Sequence, residues 1–410
     1  MSDYWREFRV EWRAVTSAMV GLGFGLIMSS YAIGIMGPHI IAEFGWSKAD
    51  LAAVQILSLG TVVVFPFVGR LADILGVRNT AMIGVIASPL LFFGFSMVEN
   101  FKSYALLFGL QVIFLTATTP PIYCRIVVQH FHRAKGLALA IAAAGPSLLA
   151  AVGGPLLNNF VVEHGWRAGY IALCIAAAVG GALALLLMPR EKRDPKKSER
   201  KKTAREDYAE IFRMRAFWLL LGSMLLCNLP GPTMLSQLNL VIAEHGVVGK
   251  DASIMVSSYA LGMMIGRFIS GALLDRFPAH LVAAGSLSLS ALGLFVMSTD
   301  NGSIVVLALA VLAVGLSLGA ESDIVGYLIA KHFRFDVYST VYGMTSSMVA
   351  FSATLGAGLL VVVLNTTGSY SPFMLITSVS VLVGSALFLF LPKKSGLPET
   401  GDGAETAAAA

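Results

Sequence analysis

Long apolar runs alternate with short polar loops along the whole chain. Each run is close to the ~20 residues that a helix needs to cross a bilayer core ~30 Å thick. Twelve helices are predicted, over residues 15–41, 49–68, 79–98, 103–128, 136–160, 168–188, 216–243, 252–273, 279–298, 302–330, 339–363 and 371–391. The runs are too long and too uniformly apolar for barrel strands. Helices also satisfy their own backbone polar groups in lipid. The expected fold class is an all-α membrane protein with twelve transmembrane helices.

Composition agrees. Of 410 residues, 56% are hydrophobic and 13% charged, against about 25% charged in a typical soluble protein. The net charge of +5 is concentrated in one stretch, residues 190–215, placed in a loop, so it is no nucleic-acid signal. The three cysteines fall inside predicted spans and the seven histidines are scattered; no cofactor or metal site is expected. The polar start, Met1 to Trp12, leads into a span too long for a cleaved signal, so that span is expected to stay as an anchor.

Loop charge sets an expected orientation. Loops on the side of the N-terminus carry 23 lysines and arginines, and the opposite loops carry Lys48, Lys102, Arg167 and Lys250. The positive-inside rule then puts both termini in the cytoplasm. The longest loop divides the chain into six spans and six. The expected layout is a cytoplasmic N-terminus (1–14), a six-helix bundle (15–188), a basic linker (189–215), a second bundle (216–391) and a tail (392–410). The linker is expected to be solvated, with the amphipathic piece DYAEIFRM on the membrane surface.

The halves repeat. Gly69-Arg-Leu-Ala-Asp73 follows the second span, and Gly271-Ala-Leu-Leu-Asp275-Arg276 follows the eighth. Both read G-x-x-x-D with a basic residue nearby, 202 residues apart. Such repetition marks two pseudo-symmetric bundles around a central site. The stretch GRLADILGVR resembles the loop signature of the major facilitator superfamily; it keeps Gly69, Asp73, Gly76 and Arg78 and departs at Ile74 and Val77. An aspartate there can accept from helix N-terminal amides and from a basic side chain. Gly69, Asp73, Arg78, Asp275 and Arg276 are therefore gate candidates, and Arg125, near the same face, is a further one.

A second resemblance narrows the class. HFHRAKGLALAIAAAG (His130 to Gly145) is similar to the fifth-span signature of the monocarboxylate transporter family, with EFGWSKADL, GWRAGY and GAESDIVGYLIAKHF as further matching stretches. The resemblance to bacterial members of the monocarboxylate and oxalate/formate exchanger groups covers nearly the whole chain. It implies a bacterial inner membrane, a carboxylate substrate and protons as partners, with no nucleic acid and a monomer as the expected state. Many members carry an aspartate four residues before the eighth-span arginine; here that position is Met263.

The charged interior carries the candidate chemistry. Arg267 lies 8 residues before Asp275, hence ~12 Å from the end of its helix. A guanidinium at such depth costs at least ~2.5 kcal/mol on insertion scales and usually faces a cavity or a partner. Its planar fork suits bidentate carboxylate capture; a structural ion pair is the other reading. Glu321 and Asp323 lie at similar depth, two residues apart and on different helix faces. They are candidates for proton coupling, or for a packing hydrogen bond. Tyr31, Tyr123, Asn228, Gln237, Tyr259, Tyr327 and Tyr342 are candidates to complete a substrate pocket. Pro120-Pro121 and Pro230-Gly231-Pro232 predict breaks in spans 4 and 7. No P-loop occurs, so ATP use is not expected, and no Ser/His, paired-Asp or metal motif supports an enzyme. The expected function is monocarboxylate transport, aliphatic or aromatic, by proton symport; organic-anion exchange is the alternative.

Overall fold

The computed structural model describes residues 2–190, 204–247, 249–299 and 303–392. Residues 191–203 of the basic linker and 393–410 of the expected tail lie outside the described residues. The rest is helical, with no strand among the described residues. Twelve helical segments are long and apolar enough to cross a membrane: Tyr4–Phe44, Ala53–Leu75, Val77–Ser96, Phe101–His130, Lys135–His164, Trp166–Leu187, Arg215–Ser236, Lys250–Leu274, Ala279–Met297, Ile304–His332, Phe335–Thr367 and Ser371–Phe390. They are called spans 1 to 12.

Spans 1 to 6 pack chiefly among themselves, as do spans 7 to 12. The two groups meet where span 2 crosses span 11 and where span 5 crosses span 8. Large apolar side chains such as Leu90, Leu186, Leu292 and Leu382 stay exposed on the outside. That is the surface a bilayer would solvate, since lipid tails are as apolar as leucine.

Spans 8 and 10 approach closely through two glycine pairs, Gly262/Gly266 and Gly315/Gly319. A Cβ at Gly262 would come within 2.7 Å of the Leu312 carbonyl, and one at Gly266, Gly315 or Gly319 would overlap a facing carbonyl. Small residues four apart on both helices allow this backbone contact. It sets Arg267 of span 8 beside the middle of span 10.

Several spans are interrupted; span 2 carries a 3₁₀ turn at Ile56–Leu59 and span 5 a one-residue break at Ala144, and the breaks of spans 1, 4 and 7 bear on the site. Span 4 is helical over Phe101–Leu115 and Pro120–His130, with a 3₁₀ turn at Thr116–Thr118 between. Span 7 breaks after Cys227 and resumes at Gly231. Both breaks follow the prolines. Span 1 also breaks, at Gly25, with no proline near. There the freed Leu26 amide donates to Thr118 Oγ1 at 3.0 Å, so the breaks of spans 1 and 4 satisfy each other. Span 1 begins earlier than read from sequence. The helix starts at Ser2, ahead of the expected span 15–41, and its first turns pack through Tyr4, Glu7 and Phe8 against Asp275, His132 and Phe131.

Candidate substrate site and gate

Arg267 projects from mid-span 8 and is partly exposed. Its guanidinium has no hydrogen bond or ion pair among the described residues. Its charge acts on Asp323, Tyr31 and Cys124, so these groups lie within electrostatic reach. Asp323 is 2% exposed. One carboxyl oxygen accepts from Ser322 Oγ at 3.2 Å, and Oδ2 has no partner. Tyr342 is buried beside them and donates to the Ser322 carbonyl at 3.1 Å. A cation without a direct ion pair and a carboxyl oxygen without a donor thus lie within electrostatic reach of each other. Leaving the buried Asp323 oxygen unsatisfied as an anion is costly, which favours a proton there, and the partly exposed Arg267 can take a further anion.

A second cluster sits on the other face of span 10. Glu321 accepts from Asn228 Nδ2 at 2.9 Å, and Asn228 also reaches the Met224 carbonyl. Tyr259, buried with its hydroxyl unpaired, lies within reach of the Glu321 charge. The two carboxyls therefore face different surroundings, as their spacing implies.

The remaining pocket candidates lie elsewhere. Tyr123 is fully buried, its ring filling the space beside Gly21 of span 1. Gln237 accepts from Tyr370 at 2.7 Å, next to the loop between spans 11 and 12. Tyr327 lies within reach of Asp275, toward the gate.

The repeated aspartates form matching contacts. Asp275 ends span 8 and accepts from the Gly136 amide at 2.6 Å and the Leu137 amide at 3.1 Å, at the start of span 5. Asp73, near the end of span 2, accepts from the Ser339 and Thr340 amides at 3.2 and 2.7 Å, and from the Thr340 hydroxyl. Each carboxylate caps a helix N-terminus, where amides and the helix dipole favour negative charge. Glycines make the approach possible: a Cβ at Gly69 would overlap the Ser339 carbonyl, and one at Gly271 would come 2.7 Å from the Gly136 carbonyl.

The three candidate gate arginines are placed differently. Asp73 pairs with Arg125, which also stacks over Phe335 at 4.3 Å. Arg78 and Arg276 are exposed, and their guanidinia have no partner among the described residues. The buried Asp73 carboxyl faces span 4, which supplies Arg125, itself one of the gate candidates.

Two further elements close this face, and sequence reasoning missed both. Tyr4 donates to Asp275 at 2.8 Å, and Glu7 accepts from the amides of His132, Arg133 and Ala134. The linker helix Ala204–Arg213 contains the DYAEIFR stretch expected to lie solvated on the membrane. It docks instead. Asp207 bonds Arg70 at 2.8 Å and Arg334 at 2.9 Å, and Arg334 also meets Glu210 at 3.3 Å. Arg70 belongs to one bundle and Arg334 to the other. The one signal in sequence was an acidic first turn on an amphipathic helix.

Comparison with known proteins fits this architecture. The profile of the Major Facilitator Superfamily matches residues 19–357 and 231–409. A crystal structure of FucP, a Major Facilitator Superfamily transporter in the outward conformation, superposes with a TM-score of 0.72 at 15% identity, covering 92% of this chain and 98% of that one. A structure of a variant of the E. coli fucose:proton symporter FucP gives 0.69 at 15% identity, with the same coverage. At that identity the likeness is one of fold. A benzoate transport protein of Acinetobacter baylyi is 31% identical over 116 residues, 28% of this chain and 25% of that protein. The match thus spans a quarter of that relative's length.

Proposed function

The chain belongs to the Major Facilitator Superfamily, and from that premise we propose that it is a secondary active transporter of monocarboxylates, coupled to protons. One observation carries this reading: among the described residues the Arg267 guanidinium, inside a span, makes no hydrogen bond or ion pair, and its charge reaches the Asp323 carboxyl, whose Oδ2 has no partner. A substrate carboxylate supplies the missing anion by bidentate hydrogen bonding. A proton on Asp323 Oδ2 removes the cost of a buried carboxylate without a donor. Loaded with both, the site carries no added net charge and the bundles can rock around it. The likeness to a benzoate transport protein supports an organic acid as cargo.

The gate contacts support a state closed on the basic face. The loop charges support the cytoplasm, inside a bacterial inner membrane, as the side of that face. Tyr342 lies beside Asp323, and Tyr31 lies within reach of Arg267; in this reading they line the carboxylate site. Glu321 and Asn228, tied to each other, hold the break of span 7 against span 10.

Uptake of labelled lactate and benzoate into proteoliposomes tests the reading. Symport predicts accumulation driven by an inside-alkaline pH gradient. Counterflow that ignores the gradient would instead identify an anion exchanger.

A further inference from the structure

A cavity of about 300 Å³ lies between spans 1, 5 and 6. Its walls include Met28, Tyr31 and Ile35 of span 1, Gly154 and Leu157 of span 5, and Leu173 of span 6. Every lining residue is apolar apart from the Tyr31 hydroxyl. Tyr31 is also the span 1 residue on which the Arg267 charge acts. One side chain therefore borders both the candidate carboxylate site and an apolar crevice.

Size and chemistry restrict the occupant. An apolar cavity of about 150 Å³ lined by aliphatic and aromatic side chains stays dry and binds benzene. This one is larger and equally apolar but has an open mouth, with Leu156 and Phe160 of its wall exposed, and it has room for a substituted ring. An anion would find no donor in it other than the tyrosine. The charged end of a ligand belongs at Arg267, and a hydrophobic body belongs here.

We infer that this crevice is the specificity pocket of the carboxylate site, and that it receives the aromatic or bulky apolar body of an acid whose carboxylate pairs with Arg267. The inference rests on the proposed carboxylate transport and narrows its substrate to aromatic acids. Tyr31 separates the two subsites and can donate its hydroxyl to the carboxylate while its ring faces the body. A short aliphatic acid binds by its carboxylate alone and gains nothing from the crevice.

Gly154 gives the test. A Cβ added there meets nothing within 4 Å, so a larger side chain enters the cavity without displacing backbone. The experiment measures uptake of benzoate, phenylacetate and lactate by proteoliposomes of the wild type, Gly154→Leu, Leu157→Ala and Arg267→Ala. Filling the crevice is expected to raise KM for the aromatic acids about tenfold or more, in line with the 10–200-fold set by one methylene in an apolar pocket. Lactate uptake by Gly154→Leu should stay within about twofold, which also shows that the variant folds. Leu157→Ala, which enlarges the crevice, should shift preference toward phenylacetate. Equal effects on all three acids, or none, would overturn the inference. Loss of every acid in Arg267→Ala, with Gly154→Leu unchanged for all, would uphold the carboxylate site and overturn the crevice alone.

Discussion

Asp73 and Asp275 stand 202 residues apart, and each caps a helix that belongs to the other bundle. Asp73 reaches from span 2 to the start of span 11; Asp275 reaches from span 8 to the start of span 5. The repeat seen in the sequence is thus a repeat of contacts between bundles. The pair differs in one respect. Asp73 also meets a buried arginine, whereas Asp275 meets a tyrosine hydroxyl.

That difference ranks two mutations. Asp73→Ala leaves Arg125 buried without its carboxylate, which typically costs ~3–5 kcal/mol. Asp275→Ala removes a helix cap and a tyrosine partner, nearer ~1–2 kcal/mol. Both should open the basic face, Asp73→Ala more. Alkylation of Ala140→Cys, beside Gly271, by a membrane-impermeant thiol reagent reads the opening. Equal rates in both backgrounds would deny Arg125 its part.

The gate should respond to pH through Asp275, which lies just past the end of span 8. Burial raises its carboxyl above the ordinary value, opposed by the Gly136 and Leu137 amides and the Tyr4 hydroxyl. Once the gate opens and the side chain is solvated, it returns toward ~3.9. Closing therefore takes up a proton in the window between those two values. The closed population falls as pH rises through that window and grows as pH falls. Spin-label distances across the basic face, from pH 3 to 8, should show this slope in the wild type and lose the Asp275 part of it in Asp275→Asn.

The linker helix should act as a clasp. Asp207 joins arginines from both bundles, and its side chain is 10% exposed. Arg334 is more exposed, at 28%, so solvent screens that arm and it contributes no more than ~1 kcal/mol. Asp207→Asn should raise Ala140→Cys labelling a few-fold, and a double-mutant cycle with Arg334→Gln should show coupling. Additive effects would make the clasp incidental.

Close packing predicts a steric block. Gly69→Leu places atoms where the Ser339 carbonyl lies. The variant should fold, since this contact forms in one conformational state, but it should not close the basic face. Transport should fall by about an order of magnitude or more, with thermal stability in detergent changed by a few degrees at most. Transport at the wild-type rate would show that spans 2 and 11 need not approach this closely.

Much of the fold was legible because bilayer thickness fixes helix length and apolar runs report it directly. The twelve spans follow from that, as do the breaks at Pro120-Pro121 and Pro230-Gly231-Pro232. The break at Gly25 was not legible, because its stabilising partner, Thr118, is 92 residues away in another helix. Arg267 and Asp323 stood out as charges in apolar runs. Their separation from the Glu321–Asn228 cluster depends on how span 10 turns between its neighbours. The Asp73–Arg125 pair and the docking of Asp207 depend on which helix faces meet, and a charged residue in a linker carries no local sign of its partner. Depth alone grouped Tyr123, Gln237 and Tyr327 with the site; the contacts found are with Gly21 for Tyr123 and Tyr370 for Gln237, while Tyr327 lies within reach of Asp275.

Gradient-driven uptake by Arg267 variants tests the central claim most directly. Proteoliposomes with an inside-alkaline pH gradient should accumulate labelled benzoate in the wild type and lose it in Arg267→Ala. Arg267→Lys keeps the charge without the bidentate fork and should fall between them. Accumulation by Arg267→Ala at the wild-type level would contradict the account, and would make the unpaired guanidinium a feature of packing and not of transport.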